Sequence, residues 1–157
     1  TETYISVKSL IDPLIDRAKA RANLQGRKWF GPSEWPKWME SRSISEGVIA
    51  EIVANLLENA FRYSPPQSSI GIELVEGGIC VWDEGIPIKE EEREKIFEKG
   101  FRGESGSKMS GSGIGLALAR DLARQLGGDL KLVVNPNRFK SSLPDSGNAF
   151  VFNLGPK

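Results

Sequence analysis

Four short stretches of this sequence, far apart in the chain, carry side chains suited to an anionic ligand. In the first, Glu51, Asn55 and Asn59 recur every fourth residue and Arg62 follows three later, so on a helix all four share one side. Asparagine prefers caps and turns to helix interiors, so two of them mid-helix need a reason beyond propensity. A solvated face is one reason. The other is a row of neutral oxygen ligands, because an amide carbonyl can complete an Mg²⁺ shell made otherwise of phosphate oxygens and water. Arg62 and Tyr63, at the end of that helix, would then face phosphate or ribose.

The second stretch is Val81-Trp82-Asp83-Glu84-Gly85-Ile86-Pro87-Ile88, where a strand ends in a carboxylate and Gly85 lets the backbone turn closely behind it. A carboxylate only accepts hydrogen bonds. Asp83 can therefore take the exocyclic amine of adenine and repel the carbonyl that guanine presents there, unless the segment is simply an Asp-x-Gly turn. The third is Ser110-Gly111-Ser112-Gly113-Ile114-Gly115-Leu116, running into a helix. Glycines before a helix N-terminus let backbone amides converge on an anion, although they also suit a plain hinge. Ser112-Gly113 stand where a Walker loop needs Lys-Ser/Thr, and no strand immediately precedes them as the dinucleotide fingerprint requires. In the fourth, Phe97 and Phe101 flank the base of a glycine- and serine-rich loop, with Arg102 and Lys108 able to reach a phosphate or to remain surface charges.

The elements that would position these residues follow from pattern. Residues 5–25 have apolar positions near a 3.6-residue period and predict a helix starting near Ser6 or Ser9. Pro13 implies a kink, or a start nearer Asp12. A short strand and an irregular, tryptophan-containing connection follow over 27–43. Ser43-Ile44-Ser45-Glu46 reads as a capping box opening a helix to Tyr63, stopped by Ser64-Pro65-Pro66. Strands are expected at 69–75 and 78–82, a short charged helix at 89–96, a loop at 98–113, a helix at 113–126, and strands at 129–134 and 148–154. The order predicts an α/β two-layer sandwich with a mixed sheet of about five strands and about three helices on one face.

Composition narrows the chemistry. The chain has 157 residues, 39% hydrophobic and 27% charged, which suits one globular domain and not a disordered segment. Lysine plus arginine equals aspartate plus glutamate at 21 each, so no net field favours nucleic acid or an anionic membrane. There is no histidine, which excludes a serine-histidine triad, a histidine-ligated zinc and a histidine general base. Cys80 is the single cysteine, set in an apolar run, and reads as a small buried hydrophobe. No apolar stretch approaches the roughly 20 residues of a membrane span. A cytoplasmic setting without membrane contact is expected.

Taken in order, the four stretches resemble the ATPase domain shared by histidine kinases, DNA gyrase, the Hsp90 chaperones and MutL, the Bergerat fold. Asn55-Leu56-Leu57-Glu58-Asn59-Ala60 with Tyr63 resembles the histidine kinases' N box, and Asp83-Glu84-Gly85 their first glycine box. Phe97 to Arg102 resembles the F box, Gly111 to Leu116 the second glycine box, and Gly147-Asn148-Ala149-Phe150 the closing strand. Ser64-Pro65-Pro66 and the general style are similar to cyanobacterial and chloroplast-type sensor kinases. The resemblance covers essentially all of 1–157. It implies a single catalytic domain with 98–112 as ATP lid, ATP and Mg²⁺ as cofactors, and Asn59 as metal ligand. ATP contacts would come from Asn55, Asn59, Arg62, Tyr63, Asp83, Gly85, Ile88, Phe97, Arg102, Lys108, Gly111, Ser112, Gly113, Ile114, Gly115 and Leu116, with Asn55 and Arg102 catalytic.

ATP-hydrolysing relatives place a glutamate one turn before the magnesium asparagine, and here Asn55 stands there, unable to take a proton. The resemblance therefore implies phosphoryl transfer to a protein histidine, with little hydrolysis. That histidine would belong to a separate dimerisation domain of the same kinase, with a response regulator downstream and the isolated domain monomeric. Asn55 also argues against a serine-phosphorylating relative. Two departures, Pro87 for the second glycine and Lys99-Gly100 for a bulkier pair, keep open a nucleotide-binding or docking module that transfers nothing.

Overall fold

The computed structural model describes residues 4–41, 43–100 and 115–155. Helix α1 (Val7–Leu24) is capped by Ser6, whose hydroxyl accepts the Ser9 amide at 3.2 Å. Its buried residues Val7, Ile11, Ile15, Ala18 and Ala22 form one stripe. The cap at Ser6 places Pro13 inside the helix, where it is exposed to solvent. Strand β2 (Lys28–Phe30) follows, and then a four-residue helix, α2 (Trp38–Ser41), in the stretch read as irregular. Tryptophan there serves as packing: Trp38 is buried and its indole donates to Val75 O at 2.7 Å, while Trp29 donates to Gly31 O at 2.8 Å.

The capping-box expectation is corrected by the backbone. Ser43–Ser45 form a strand, β3, paired antiparallel with β1 (Tyr4–Ser6), and helix α3 begins only at Glu46 and runs to Tyr63. A helix opening at Ile44 would break that pairing. This two-stranded sheet had no sequence signal. Next come β4 (Ser69–Val75) and β5 (Gly78–Asp83), joined by the expected tight turn. The charged segment holds two 3₁₀ turns, Glu90–Glu92 and Lys95–Phe97, in place of one helix. Helix α4 (Gly115–Gln125) and strands β6 (Asp129–Val134) and β7 (Asn148–Asn153) complete the chain.

The main sheet is five-stranded in the order β2-β4-β5-β7-β6, with β2 parallel to β4 and the other pairs antiparallel. Alternation along each strand assigns its two faces. Ile70, Ile72, Ile79, Val81, Phe150 and Phe152 meet Ile52, Leu56 and Ala119 of the helices in one core, and full burial of each large side chain is worth roughly 1.5–3 kcal/mol. The expected α/β sandwich is what forms. Among the described residues no helix is long and apolar enough to cross a membrane.

The outer face carries a smaller cluster, Cys80, Trp82, Ala149 and Val151, against Phe139 and Leu143 of the β6–β7 connection. Burial first, and Glu73 second, push the Cys80 thiol up, as an inert packing residue requires. Glu73 itself is buried on this face. It accepts from Ser33 N at 3.0 Å, Ser33 Oγ at 2.9 Å and Lys140 Nζ at 2.8 Å. Burial alone would raise its pKa, but the lysine and serine bonds together outweigh it and hold the carboxyl below its usual value. A depressed carboxyl adds stability above its unfolded pKa and loses it as pH falls. Lys140→Met should therefore lower stability by about 1–3 kcal/mol at pH 7, with the difference shrinking at acid pH as the carboxyl is protonated. Urea unfolding at neutral and acid pH checks this.

Candidate nucleotide site

Helix α3 brings the polar row to the edge of the core. Asn55 and Asn59 are half-buried between the buried pairs Ile52-Val53 and Leu56-Leu57 and the buried Ala60. The Asn55 amide donates to Glu51 O at 3.0 Å and to Glu51 Oε1 at 3.5 Å. A Cβ built on Gly115 would lie 3.1 Å from Asn55 Oδ1, so the start of α4 stands directly against the asparagine row. Two of the four stretches meet here. Arg62 is an ion pair with Glu58 at 3.6 Å, and Glu58 is also held by Arg21 at 2.7 Å. The Arg21 hydrogen bond is the main reason the Glu58 pKa is lowered, against burial, with Arg21 and Arg62 charge adding to it.

The other half of the site is built around Asp83. The side chain of this last β5 residue points to the helix face and is 3% exposed. Its Oδ1 accepts the Gly85 amide at 2.6 Å. Burial raises its pKa to about 7, against the Gly85 hydrogen bond and the positive charge of Arg27, while Glu84 adds to the rise. Two glycines make this corner possible. A Cβ on Gly85 would sit 2.7 Å from Asp83 Oδ1 and 3.0 Å from Tyr63 O, so the turn closes onto the end of α3. Gly147, at φ +125°, would place a Cβ 2.1 Å from Asp83 O.

Asn148 follows, paired across the sheet with Asp83 and 5% exposed. Its Oδ1 accepts from Ile88 N at 3.0 Å and its Nδ2 donates to Ile86 O at 2.9 Å. That staple fixes the segment after β5, and it uses no N–H at Pro87, so the proline departure costs no hydrogen bond there. The sequence shows Asn148 in the closing strand, but its task depends on the distant Ile86 and Ile88. A polar residue directly after a glycine at the start of an apolar strand was the available signal. Ile88 and Leu116 pack half-buried against the main core.

Phe97 is buried edge-on against Phe150, ring centroids 6.3 Å apart, and the Arg120 guanidinium lies 4.2 Å from its ring centre. Arg120 is also paired with Glu94 at 3.1 Å and Asp129 at 3.5 Å. Phe97 is thus pinned to β7 through Phe150 and to α4 through Arg120. Arg102, Lys108, Gly111, Ser112, Gly113 and Ile114 lie outside the described residues, and so does most of the expected 98–112 lid. A cavity of about 450 Å³ lined by Phe30, Glu73, Trp82 and Leu143 opens on the outer face of the sheet and contains none of the expected site residues.

This arrangement, a mixed sheet with a carboxyl at the end of β5 facing the end of α3, is the fold of histidine kinase catalytic domains. The nucleotide-free catalytic domain of histidine kinase ThkA matches with a TM-score of 0.73 at 22% identity, covering 98% of this chain and 97% of that one. A mycobacterial sensor histidine kinase, MprB, matches with a TM-score of 0.72 at 24% identity, over 99% and 100% of the two chains. The sequence profile of the histidine kinase-, DNA gyrase B- and HSP90-like ATPases matches residues 45–157, and the chain belongs to that family. Among named relatives, it is 40% identical over 128 residues to the sensor histidine kinase Hik2 of Thermosynechococcus vestitus, a match covering 76% of this chain and 32% of that protein. To Hik2 of Synechocystis it is 34% identical over 114 residues, covering 66% of this chain and 26% of the relative. The chain thus spans about a third or less of the length of these curated relatives.

Asp83 carries a stability signature. A carboxyl whose folded pKa is raised contributes most below its unfolded value near 4, and that contribution is lost as pH rises through about 7. Asp83→Asn keeps an acceptor for Gly85 and removes the ionisation. Without nucleotide it should stabilise the domain by on the order of 2–4 kcal/mol at pH 8 and far less at pH 5. Chemical denaturation of both forms at the two pH values tests this; a gain independent of pH would contradict it.

Proposed function

We propose that this domain binds Mg-ATP and presents the γ-phosphoryl group to a histidine on a separate dimerisation and phospho-acceptor domain of the same cytoplasmic protein, which then passes it to a response regulator. The observation that carries the reading is the pairing of a buried Asp83 carboxyl with a bare Gly115 backbone against Asn55. One end of the site suits an adenine amine and the other a phosphate chain.

The residues fit such a ligand. Asp83 Oδ1 is already occupied by Gly85 N, which leaves the second carboxylate oxygen to accept from the adenine amine. Among the described residues no group of three or more Asp, Glu, His or Cys could hold a metal alone, so an ion here would draw mainly on phosphate oxygens and water. Asn59 would supply the protein ligand through its amide oxygen. Mg²⁺, when bound, neutralises charge on the phosphate oxygens. Asn55 would orient the phosphate end without taking a proton, and Arg102 would add positive charge from the lid. Water is not activated by an amide, which leaves the phosphoryl group for a protein acceptor.

Calorimetry with ATP, GTP and ADP in Mg²⁺ tests the ligand assignment. Wild type should prefer ATP to GTP by at least about 100-fold, and Asp83→Asn should erase most of that preference. Equal affinity for the two nucleotides would remove the adenine assignment. Asn59→Ala should lose Mg-dependent binding. Asn55→Glu should raise ATP hydrolysis by about 10-fold or more, while wild type transfers phosphate to an added histidine-bearing acceptor domain.

A further inference from the structure

Arg27 lies in the turn between α1 and β2, outside both the four sequence stretches and the 45–157 region that defines the family. Its own amide donates to Ala22 O at 2.9 Å, which closes the end of α1. The guanidinium reaches across to the end of α3. Nη2 donates to Phe61 O at 3.2 Å, and Nη1 to Ser64 Oγ at 2.6 Å and Pro65 O at 3.1 Å. Nε is held by Gln25 Oε1 at 2.7 Å, and the group lies 5.6 Å from the Phe61 ring centre. The last carbonyls of a helix have no partner within it and carry the negative end of its dipole. Arg27 answers both needs.

The clamped turn is also a wall of the site. Tyr63 O and Ser64 Cα lie 3.0 Å and 3.6 Å from where a Gly85 Cβ would be, and Gly85 N is bonded to Asp83. Contacts thus run from Arg27 through the end of α3 to Gly85 and the carboxyl. We propose that Arg27 is a positioning residue for nucleotide recognition, holding the α3 terminus against Gly85 and supplying the positive charge that Asp83 faces. This rests on the Mg-ATP reading above.

The charges around Asp83 support that assignment. Arg27 lowers its pKa and Asp83 in turn raises that of Arg27, although burial and then Arg21 bring the arginine below its usual value. Glu84 opposes Arg27, and its carboxylate is taken by Ser69 N at 2.9 Å. On α3, Arg62 and Glu58 are paired with each other, and Tyr63 is half-buried. Strand β7 contributes the neutral Asn148. Among the described residues, Arg27 is the cation whose charge favours a carboxylate at Asp83.

The test is an NMR pH titration of the Asp83 carboxyl in the nucleotide-free domain, combined with ATP calorimetry from pH 5.5 to 8.5, on wild type, Arg27→Gln and Arg27→Lys. Arg27→Gln should raise the Asp83 midpoint by about half a pH unit or more and weaken ATP binding at pH 7 by roughly 3- to 10-fold. Arg27→Lys should restore the midpoint while recovering affinity only in part, because a lysine cannot span three acceptors as a guanidinium does. An Asp83 midpoint unchanged in Arg27→Gln would overturn the proposal, whatever happens to melting temperature or affinity. A shifted midpoint in a domain that binds no ATP would sink the nucleotide reading, and the role assigned to Arg27 with it, while leaving the charge coupling measured.

Discussion

A carboxyl group held almost out of water at the end of a central strand is the constraint that the rest of this site serves. Burial of Asp83 opposes its charge, and the structure surrounds it with partial compensation: one amide from Gly85 and the positive charge of Arg27. Neither is sufficient to return it to an ordinary carboxylate. The group is left near neutrality in its titration, unstable as an anion until a donor arrives. An exposed aspartate would ionise freely and discriminate little, because water would satisfy it whichever base was present.

The surrounding elements are arranged to bring backbone close to that group without covering it. Gly85 and Gly147 let two chain segments pass where any side chain would collide with Asp83, and Asn148 ties the following segment at both Ile86 and Ile88. On the helix side, α3 offers Asn55 and Asn59 from a cylinder whose opposite stripe is buried in the core, so their positions are fixed by Ile52, Leu56 and Ala60. The outer face is secured separately, by Glu73 joining Ser33 and Lys140.

Much of this was legible in the sequence, for local reasons. The strands at 69–75, 78–82, 129–134 and 148–154, the long helices and the Asp83-x-Gly85 corner each follow from periodicity or from a residue with one physical use. Where local pattern does not decide, the deciding partner is distant. Ser43–Ser45 carry a good helix-capping pattern, yet their backbone pairs with Tyr4–Ser6, a contact that no window around residue 43 contains. Asn148 and Arg27 take their meaning from Ile86, Ile88 and the end of α3, all remote in sequence. The ion pair of Arg62 with Glu58, which Arg21 of another helix also holds, likewise depends on a partner that spacing does not show.

Proton release on nucleotide binding measures the central claim most directly. If Asp83 titrates near pH 7 in the empty site and becomes a carboxylate against the adenine amine, Mg-ATP binding at pH 7 should release about half a proton per domain. Calorimetry in buffers of different ionisation enthalpy counts it, and Asp83→Asn should abolish it. Binding of Mg-ATP with no proton released at pH 6, 7 or 8 would mean that Asp83 does not ionise on binding, and the account built on its burial would be wrong.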